Sequence, residues 1–366
     1  MSKIYKIWFQ QVKLPIYLKH EMLLKVECIE QLFALKPKDF KNWGLTEEAI
    51  YRLEESKKHL EGCYQILKDC EATQTEILDY FDADYPQILR EIPDSPIVLY
   101  VKGNKKWLSK PMIAIVGARK CTEYGDRMAR QLSRHLVQVG VVVVSGLAMG
   151  VDAASHQGAL QGEGGTVAVL GTGCNLCYPE CNLAIYDEIQ EKGCLVSEYP
   201  PYTKARPYHF PMRNRIICGL SYGVVVVEAA ERSGSLITAK LALDYGREVY
   251  AVPGNPECKM SKGTNELIES GAKSVKSALD IINELPKGLG IKNEGIKKNS
   301  DKMHNELAQA ERIVYAYVSW EPILFDQLQE LLVNTQLSCE RLYTSLLQLE
   351  VKGLIRRLPG ERYVRI

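Results

Sequence analysis

Six short runs govern what this chain can fold into: MIAIV (112–116), VVVVS (141–145), TVAVL (166–170), CLVSE (194–198), VVVVE (224–228) and EVYAV (248–252). Each is β-branched and apolar at successive positions, so both faces of the strand it forms must be covered, as in parallel strands lying under helices. Helical stretches separate the runs. The expected fold is a doubly wound, Rossmann-like α/β sheet over residues 106–285.

The flanks read differently. Residues 1–105 carry Leu, Glu and Lys at helical spacing, in MLLKVECIEQLFAL (22–35) and in TEEAIYRLEESKKHLEGCYQIL (46–67), where Thr46 and the glutamates after it open a helix. A small helical, SAM-like module is expected there. Its connector is DYPQILREIPDSPIVLYVKG (84–103), punctuated by Pro86, Pro93 and Pro96. Residues 286–302, with their Gly, Asn and Lys, read as a linker. Beyond it, 303–366 offer helices at ELAQAERIVYAYV and CERLYTSLLQLEVKG, then a two-stranded wing at GLIRRLPGERYVRI. That is a winged-helix-like pattern.

Composition narrows the class. The chain has 46 basic and 45 acidic residues, so no global charge bias draws it to nucleic acid. No apolar run reaches the ~18 residues of a membrane span, and MSKIYKIWFQQVKLP lacks the marks of a secretory signal. The 11 cysteines are odd in number and scattered, which fits a reducing compartment better than a disulfide framework. A cytoplasmic protein with no membrane partner is the expectation.

Against that balance, YTKARPYHFPMRNR (202–215) holds four cations, three aromatic rings, one histidine and no carboxylate. Phosphates want cations and unstacked bases want π-faces, so the mixture suits a single-stranded nucleic acid. An ordinary surface loop with Arg–aromatic packing is the plainer alternative. Within it, Pro211 restricts Phe210 to extended conformations that project the ring outward.

Ligands of an open parallel sheet bind beyond the carboxyl ends of its strands. The six strands here lead, in chain order, into GARK (117–120), SGLAMG (145–150), GTG (171–173), SEYP (197–200), EAAERSGS (228–235) and PGNP (253–256). Glycine lets the backbone approach a ligand and exposes N–H groups, and helix N-termini favour anions, so phosphate is the expected ligand. Glycines that merely make tight turns are the alternative. A dinucleotide fingerprint fails, because no third glycine comes after Gly171 and Gly173 and no acidic residue ends VVVVS. There is no GxxxxGK[ST] either.

In order and spacing, GARKCTEYG (117–125), SGLAMGVDAASH (145–156), TVAVLGTGCNLCYPECN (166–182), GCLVSEYP (193–200), HFPMRNRIICGLS (209–221), VVVVEAAERSGSLITAKLALDYGREVYAVPGNP (224–256) and KGTNELIESGA (262–272) resemble the DprA/Smf family. The resemblance spans about residues 80–280 and is weaker at both ends. It implies an extended Rossmann-like domain that binds and protects single-stranded DNA and helps load the RecA recombinase in natural transformation. It also implies a homodimer formed through that domain, with no cofactor, no metal and no catalysis. On this resemblance Arg119 is the principal phosphate-binding arginine, and Lys204 and Phe210 meet the strand. Arg213, Asn214 and Arg215 match an Arg-Asn-Arg signature whose side chains either touch DNA or brace the pocket from behind. Gly117, Ala118, Lys120, Ser145, Gly146 and Gly171 complete the expected surface. Ala118 stands where serine is frequent, so a hydroxyl contact is absent while backbone N–H contacts would survive.

Other constellations compete for a chemical reading. Cys174, Cys177 and Cys181 form CxxCxxxC, yet a closed zinc site needs four ligands, and small apolar cysteines are the better reading. Asp152 and His156 share a helix face, as a base and its partner would, but no nucleophile is placed with them. Glu198 and Glu228 are expected to hold Arg213 or Arg215 in position. The competing function is a nucleotide-processing enzyme, because phosphoribohydrolases of the lysine-decarboxylase-like group share the fold. Their Pro-Gly-Gly-x-Gly-Thr loop is replaced here by EAAERSGSLITA (228–239). Sequence-specific regulation through Arg356, Arg357, Arg362 and Arg365 is a third reading.

Overall fold

The computed structural model describes residues 2–162, 165–291, 307–319, 322–335 and 337–365. They fall into two units, Met1–Ile291 and Lys292–Ile366. From residue 292 the expected linker lies outside the described residues, as do 303–306 of the module after it.

The first unit opens with α1 (Ser2–Gln11), α2 (Ile16–Leu23), α3 (Ile29–Ala34), α4 (Pro37–Asn42), α5 (Glu47–Lys58) and α6 (Glu61–Ala72). Thr46 caps α5 as its chemistry suggests, accepting from the Ala49 N–H at 3.3 Å. The stretch 22–35 is two helices, not one. Leu23 and Ile29 are both buried in the same core, yet on a continuous helix they would point about 120° apart. Breaking the helix between them lets both face inward.

A nine-stranded sheet comes next, built from β1 (Glu76–Asp79), β2 (Val98–Gly103), β3 (Met112–Val116), β4 (Val142–Ser145), β5 (Thr166–Leu170), β6 (Cys194–Ser197), β7 (Gly223–Val226), β8 (Glu248–Ala251) and β9 (Lys273–Ser274). Its order is β1-β2-β6-β5-β4-β3-β7-β8-β9. The seven strands from β6 to β9 are mutually parallel, while β1 and β2 run antiparallel at one edge. The stretch 76–103, read from sequence as part of the helical module and its connector, therefore supplies two strands of the sheet. Val98 to Val101 are buried on both faces, because the helical module covers one side.

Both faces are indeed packed. On β5, Ala168 and Leu170 enter a core shared with Trp8, Phe9 and Phe40 of the helical module. Val167 and Val169 enter a second core, shared with Ile216, Leu220 and Ala239. The helices involved are α7 (Gln87–Arg90), α8 (Glu123–Gln138), α9 (Val151–Leu160), α10 (Leu183–Lys192), α11 (His209–Gly219), α12 (Gly234–Asp244), α13 (Lys262–Glu269) and α14 (Ala278–Ile282). Polar ties seat the module on the sheet: Tyr100 donates to the Gln10 side-chain oxygen at 2.8 Å, and Gln10 donates to the Glu198 carbonyl at 2.7 Å.

The second unit contains α15 (Gln309–Tyr317), α16 (Phe325–Leu332) and α17 (Cys339–Val351), with β10 (Ile323–Leu324), β11 (Ile355–Leu358) and β12 (Arg362–Arg365) in the order β10-β12-β11. The β11–β12 hairpin is the wing, and Val314, Leu328, Leu346, Leu349 and Tyr363 form the core. This is a winged-helix fold.

Candidate nucleic-acid interface

The strand order dictates where a ligand can enter. From β3 the chain proceeds to β4, β5 and β6 on one side, then returns to place β7 on the other. Loops diverge at such a switch point and leave a crevice at the carboxyl ends. Here it is a cleft of about 770 Å³. Its floor is buried and includes Val116, Asp152, Arg213, Ile217 and Thr238; its rim is exposed and includes Arg119, Lys120, Tyr178, Arg232 and Ile237.

The rim carries the chemistry that a polyanion needs. Among the described residues Arg119, Lys120 and Arg232 make no ion pair, so their charges are available. The Arg119 guanidinium lies 5.9 Å from the centroid of the Phe210 ring. The Tyr178 ring also neighbours Phe210, 5.4 Å away and tilted by 31°. Cation and π-faces thus stand together at the mouth.

Phe210 reaches this place by a route other than the one its sequence suggests. It lies in the first turn of α11, not in an extended loop. Proline is tolerated within the first helical turn, where its missing N–H costs nothing, so Pro211 does not prevent helix. The half-buried ring rests against Gly171, where an added Cβ would come within 3.0 Å of Phe210 Cδ1. Lys204 is exposed in the loop before α11, outside the residues lining the cleft. That loop is tethered by the Thr203 carbonyl, which accepts from Gly173 N–H at 2.9 Å.

The Arg-Asn-Arg tripeptide points elsewhere. Arg213 is 5 % exposed and donates to the carbonyls of Val169 and Gly146, the latter at 2.7 Å. A Cβ on Gly146 would lie 2.3 Å from its guanidinium, so only glycine allows this approach. Burial lowers the Arg213 guanidinium to about 10, a shift opposed by Asp152 and assisted by Arg119. Arg215 is buried against Glu198 and Asp94. Asn214 donates to Thr238 Oγ1 at 3.0 Å, tying α11 to α12. Of the three, Arg213 and Asn214 line the cleft from below and Arg215 does not reach it.

Several loop N–H groups are committed internally. Ala118 N–H donates to the Glu228 carbonyl at 2.7 Å, and Gly146 N–H to Asp152 Oδ2 at 3.2 Å. The backbone donors expected to meet phosphate at Ala118 and Gly146 are therefore engaged already, and Ser145 Oγ donates to Ile115 O at 2.7 Å. Gly117, Ala118, Arg119 and Lys120 do line the cleft, while Ser145, Gly146 and Gly171 support it from behind. Glu198 holds Arg215 as expected, but Glu228 holds no arginine: its carboxylate accepts from Thr122.

Asp152 and His156 are structural on this geometry. Burial raises the Asp152 carboxyl above its usual range, against the pull of Arg213 and of the Ala148 and Gly146 N–H groups. His156 is buried beside Thr166, with Nδ1 and Oγ1 2.8 Å apart. Among the described residues no group of three His, Cys, Asp or Glu side chains is placed to hold a metal. Cys174 donates to the Tyr100 carbonyl at 3.1 Å, and burial pushes the Cys177 thiol up to about 11.

Tyr178 is not named among the expected site residues, whereas Arg232 and the start of α12 lie in the strand-end loop 228–235 that the sequence already marks. Ser233 caps α12, accepting from Ser235 N–H at 3.3 Å. The signal was present, since Ser-Gly-Ser precedes an apolar run at 236–239, as an N-cap does. Tyr178 was masked by the cysteines around it.

Known proteins share both the sequence and the fold. A family described as DNA recombination-mediator protein A matches residues 76–286, and the DprA winged helix domain matches residues 300–361. Protein Smf of Synechocystis is 35% identical over 334 residues, covering 82% of this chain and 83% of its own. The DNA processing protein DprA of Bacillus subtilis is 47% identical over 203 residues, 55% of this chain and 68% of that protein. The X-ray structure of DprA from Streptococcus pneumoniae superposes with a TM-score of 0.67 at 34% identity, covering 78% of this chain and 98% of that one. A Helicobacter pylori structure described in terms of the single-stranded DNA binding mode of DprA gives 0.53 at 32% identity, over 57% of this chain and 94% of its own.

Proposed function

The chain belongs to the DprA/Smf family of DNA recombination mediators, and from that premise we propose that it binds single-stranded DNA at the strand-end cleft. The observation that carries the reading is the rim, where Arg119, Lys120 and Arg232, which make no ion pair among the described residues, line the same cleft as the Tyr178–Phe210 ring pair. The cations neutralise phosphates, and the rings offer stacking surface without reading base identity. Arg213 ties α11 to Gly146 of the 145–150 loop and Asn214 ties it to α12, so that the rim keeps its shape, while Arg215 serves the scaffold away from the cleft. Strand protection and handover to RecA are the uses proposed for this binding, in a homodimer. No helix among the described residues is long and apolar enough to cross a membrane.

The proposed role is non-catalytic. Asp152 is committed to two backbone N–H groups, and Glu228 to Thr122, so neither is poised as a general base. The test compares dT oligonucleotides, duplex DNA and free nucleotides in one binding assay, with product analysis for base release or hydrolysis. Preference for the single strand with no product supports the proposal. Equal affinity for duplex, or turnover abolished by Asp152→Asn, overturns it.

A further inference from the structure

Glu228 stands two residues beyond β7, is 1 % exposed, and grips the same short loop at both ends. Its carbonyl accepts from Ala118 N–H at 2.7 Å. Its carboxylate accepts from the Thr122 N–H at 2.8 Å and from the Thr122 hydroxyl at 2.6 Å. Between those anchors lie Arg119, Lys120 and Cys121 and nothing else. Thr122 Oγ1, having given its proton to Glu228, accepts from Gly125 N–H at 3.2 Å and so caps α8. Gly125 leaves the room for this: a Cβ there would lie 2.5 Å from the Glu228 carboxyl carbon.

We infer that Glu228 is the positioning residue of the Arg119–Lys120 loop, acting as an internal anion at the N-terminus of α8. In a parallel α/β fold the helix after the first central strand offers its N-terminal N–H groups and dipole to an anion. Here the chain supplies that anion itself. The phosphate of a bound strand then cannot take the helix terminus and is met by the side chains of the pinned loop. The loop is held on its far side as well, since the Ala118 carbonyl accepts from Val151 N–H at 3.2 Å. This rests on the proposed DNA reading, but the pinning itself is measurable without DNA.

The test uses the full chain with Glu228→Ala, Glu228→Gln and Arg119→Ala, and the double variant Arg119→Ala/Glu228→Ala. Glu228→Ala frees Thr122 and is expected to weaken dT oligonucleotide binding about tenfold, while Glu228→Gln, whose amide oxygen still accepts from Thr122 N–H and whose NH2 donates to a turned Thr122 hydroxyl, restores part of it. Arg119→Ala should then add little in the Glu228→Ala background, because the arginine has already lost its register. Unchanged affinity in Glu228→Ala, or full additivity with Arg119→Ala, overturns the inference. Amide exchange over 118–125 is read on the same proteins. Faster exchange in Glu228→Ala supports the pinning even if the wild type binds no DNA, and unchanged exchange overturns it in any case. If Glu228→Ala does not fold, Thr122→Val removes the hydroxyl half of the grip and is judged by the same measurements.

Discussion

The Nη2 atom of Arg215 donates to both carboxylate oxygens of Glu198, each at 2.5 Å, while its Nη1 donates to the Asp94 carbonyl at 2.7 Å. One side chain thus joins the loop after β6, the connector before β2 and helix α11. Burial alone would lower the Arg215 guanidinium, but Glu198 and Asp94 more than offset it and hold it above its ordinary value.

Removing Arg215 leaves the Glu198 carboxylate, 21 % exposed, without its partner and the Asp94 carbonyl without its donor. The cost lies nearer the lower end of the ~3–5 kcal/mol of a fully buried pair. Arg215→Ala should therefore lower the melting temperature sharply, yet leave DNA affinity per folded molecule close to wild type. A stable Arg215→Ala with weakened binding would place the residue on the DNA and not in the scaffold.

His156 makes stability sensitive to acid. The Thr166 hydroxyl gives its proton to the Val143 carbonyl at 2.8 Å, so its oxygen accepts from Nδ1–H, and Nε2 is left buried without a partner. Burial, aided by Arg213, lowers the imidazole from 6.5 to about 3. Below pH 6.5 the unfolded chain takes up a proton that the folded one refuses, so stability falls as pH drops from about 6.5 toward 3. The slope for this one group approaches ~1.4 kcal/mol per pH unit. Denaturant titrations from pH 7 to pH 4.5 should show a shallower decline in His156→Gln than in the wild type. Parallel profiles would mean that the histidine does not set the slope.

Electrostatics at the rim has its own measure. Arg119, Lys120 and Arg232 on the rim, with exposed Lys204 in the loop before α11, give four cations for one strand. If each neutralises one phosphate, the log–log dependence of affinity on salt should have a slope of about −3. Arg119→Ala should weaken binding while leaving the melting temperature unchanged, and should make the slope shallower by roughly 0.7. A flat salt response would remove the cations from the mechanism.

Much of this architecture is legible in the residues alone. The six strands announce themselves because burial on both faces leaves no choice but continuous β-branched residues, and β3 and β5 have the limits read from sequence. β1 is hidden because it is a short edge strand without such a run, and β2, whose IVLYV (97–101) is apolar on both faces, is masked by the prolines and the helical module before it. In the site, Arg119 is visible because it comes after a strand with glycine at its start. The inward turn of Arg213 and Arg215 is legible only as one of two alternatives, since a cation's direction depends on carbonyls and carboxylates 17 to 67 residues away in the chain, namely Glu198 and Gly146.

The winged-helix unit gives a separate expectation. A chain ending at Ile291 retains every residue of the cleft, so it should fold and bind dT oligonucleotides as the full chain does. Loss of affinity in a folded truncation would assign the DNA surface to residues 292–366.

Phe210 offers the sharpest test, because it is half-buried and its ring has two duties. Its Cδ1–Cε1 edge lies against Gly171, Tyr178 stands 5.4 Å from the ring and the Arg119 guanidinium 5.9 Å from it. Stacking of one base on an aromatic ring contributes about 1–3 kcal/mol, so Phe210→Ala should weaken single-strand binding roughly 5- to 150-fold. Phe210→Tyr keeps the π-face and should be nearly neutral. A fully buried phenylalanine would cost about 3–5 kcal/mol of stability on truncation to Ala, and a ring at the rim should cost clearly less. Affinity and melting temperature measured on the same two variants separate the duties. Full core-like destabilisation of Phe210→Ala with unchanged affinity per folded molecule would reduce the ring to packing and leave stacking to Tyr178.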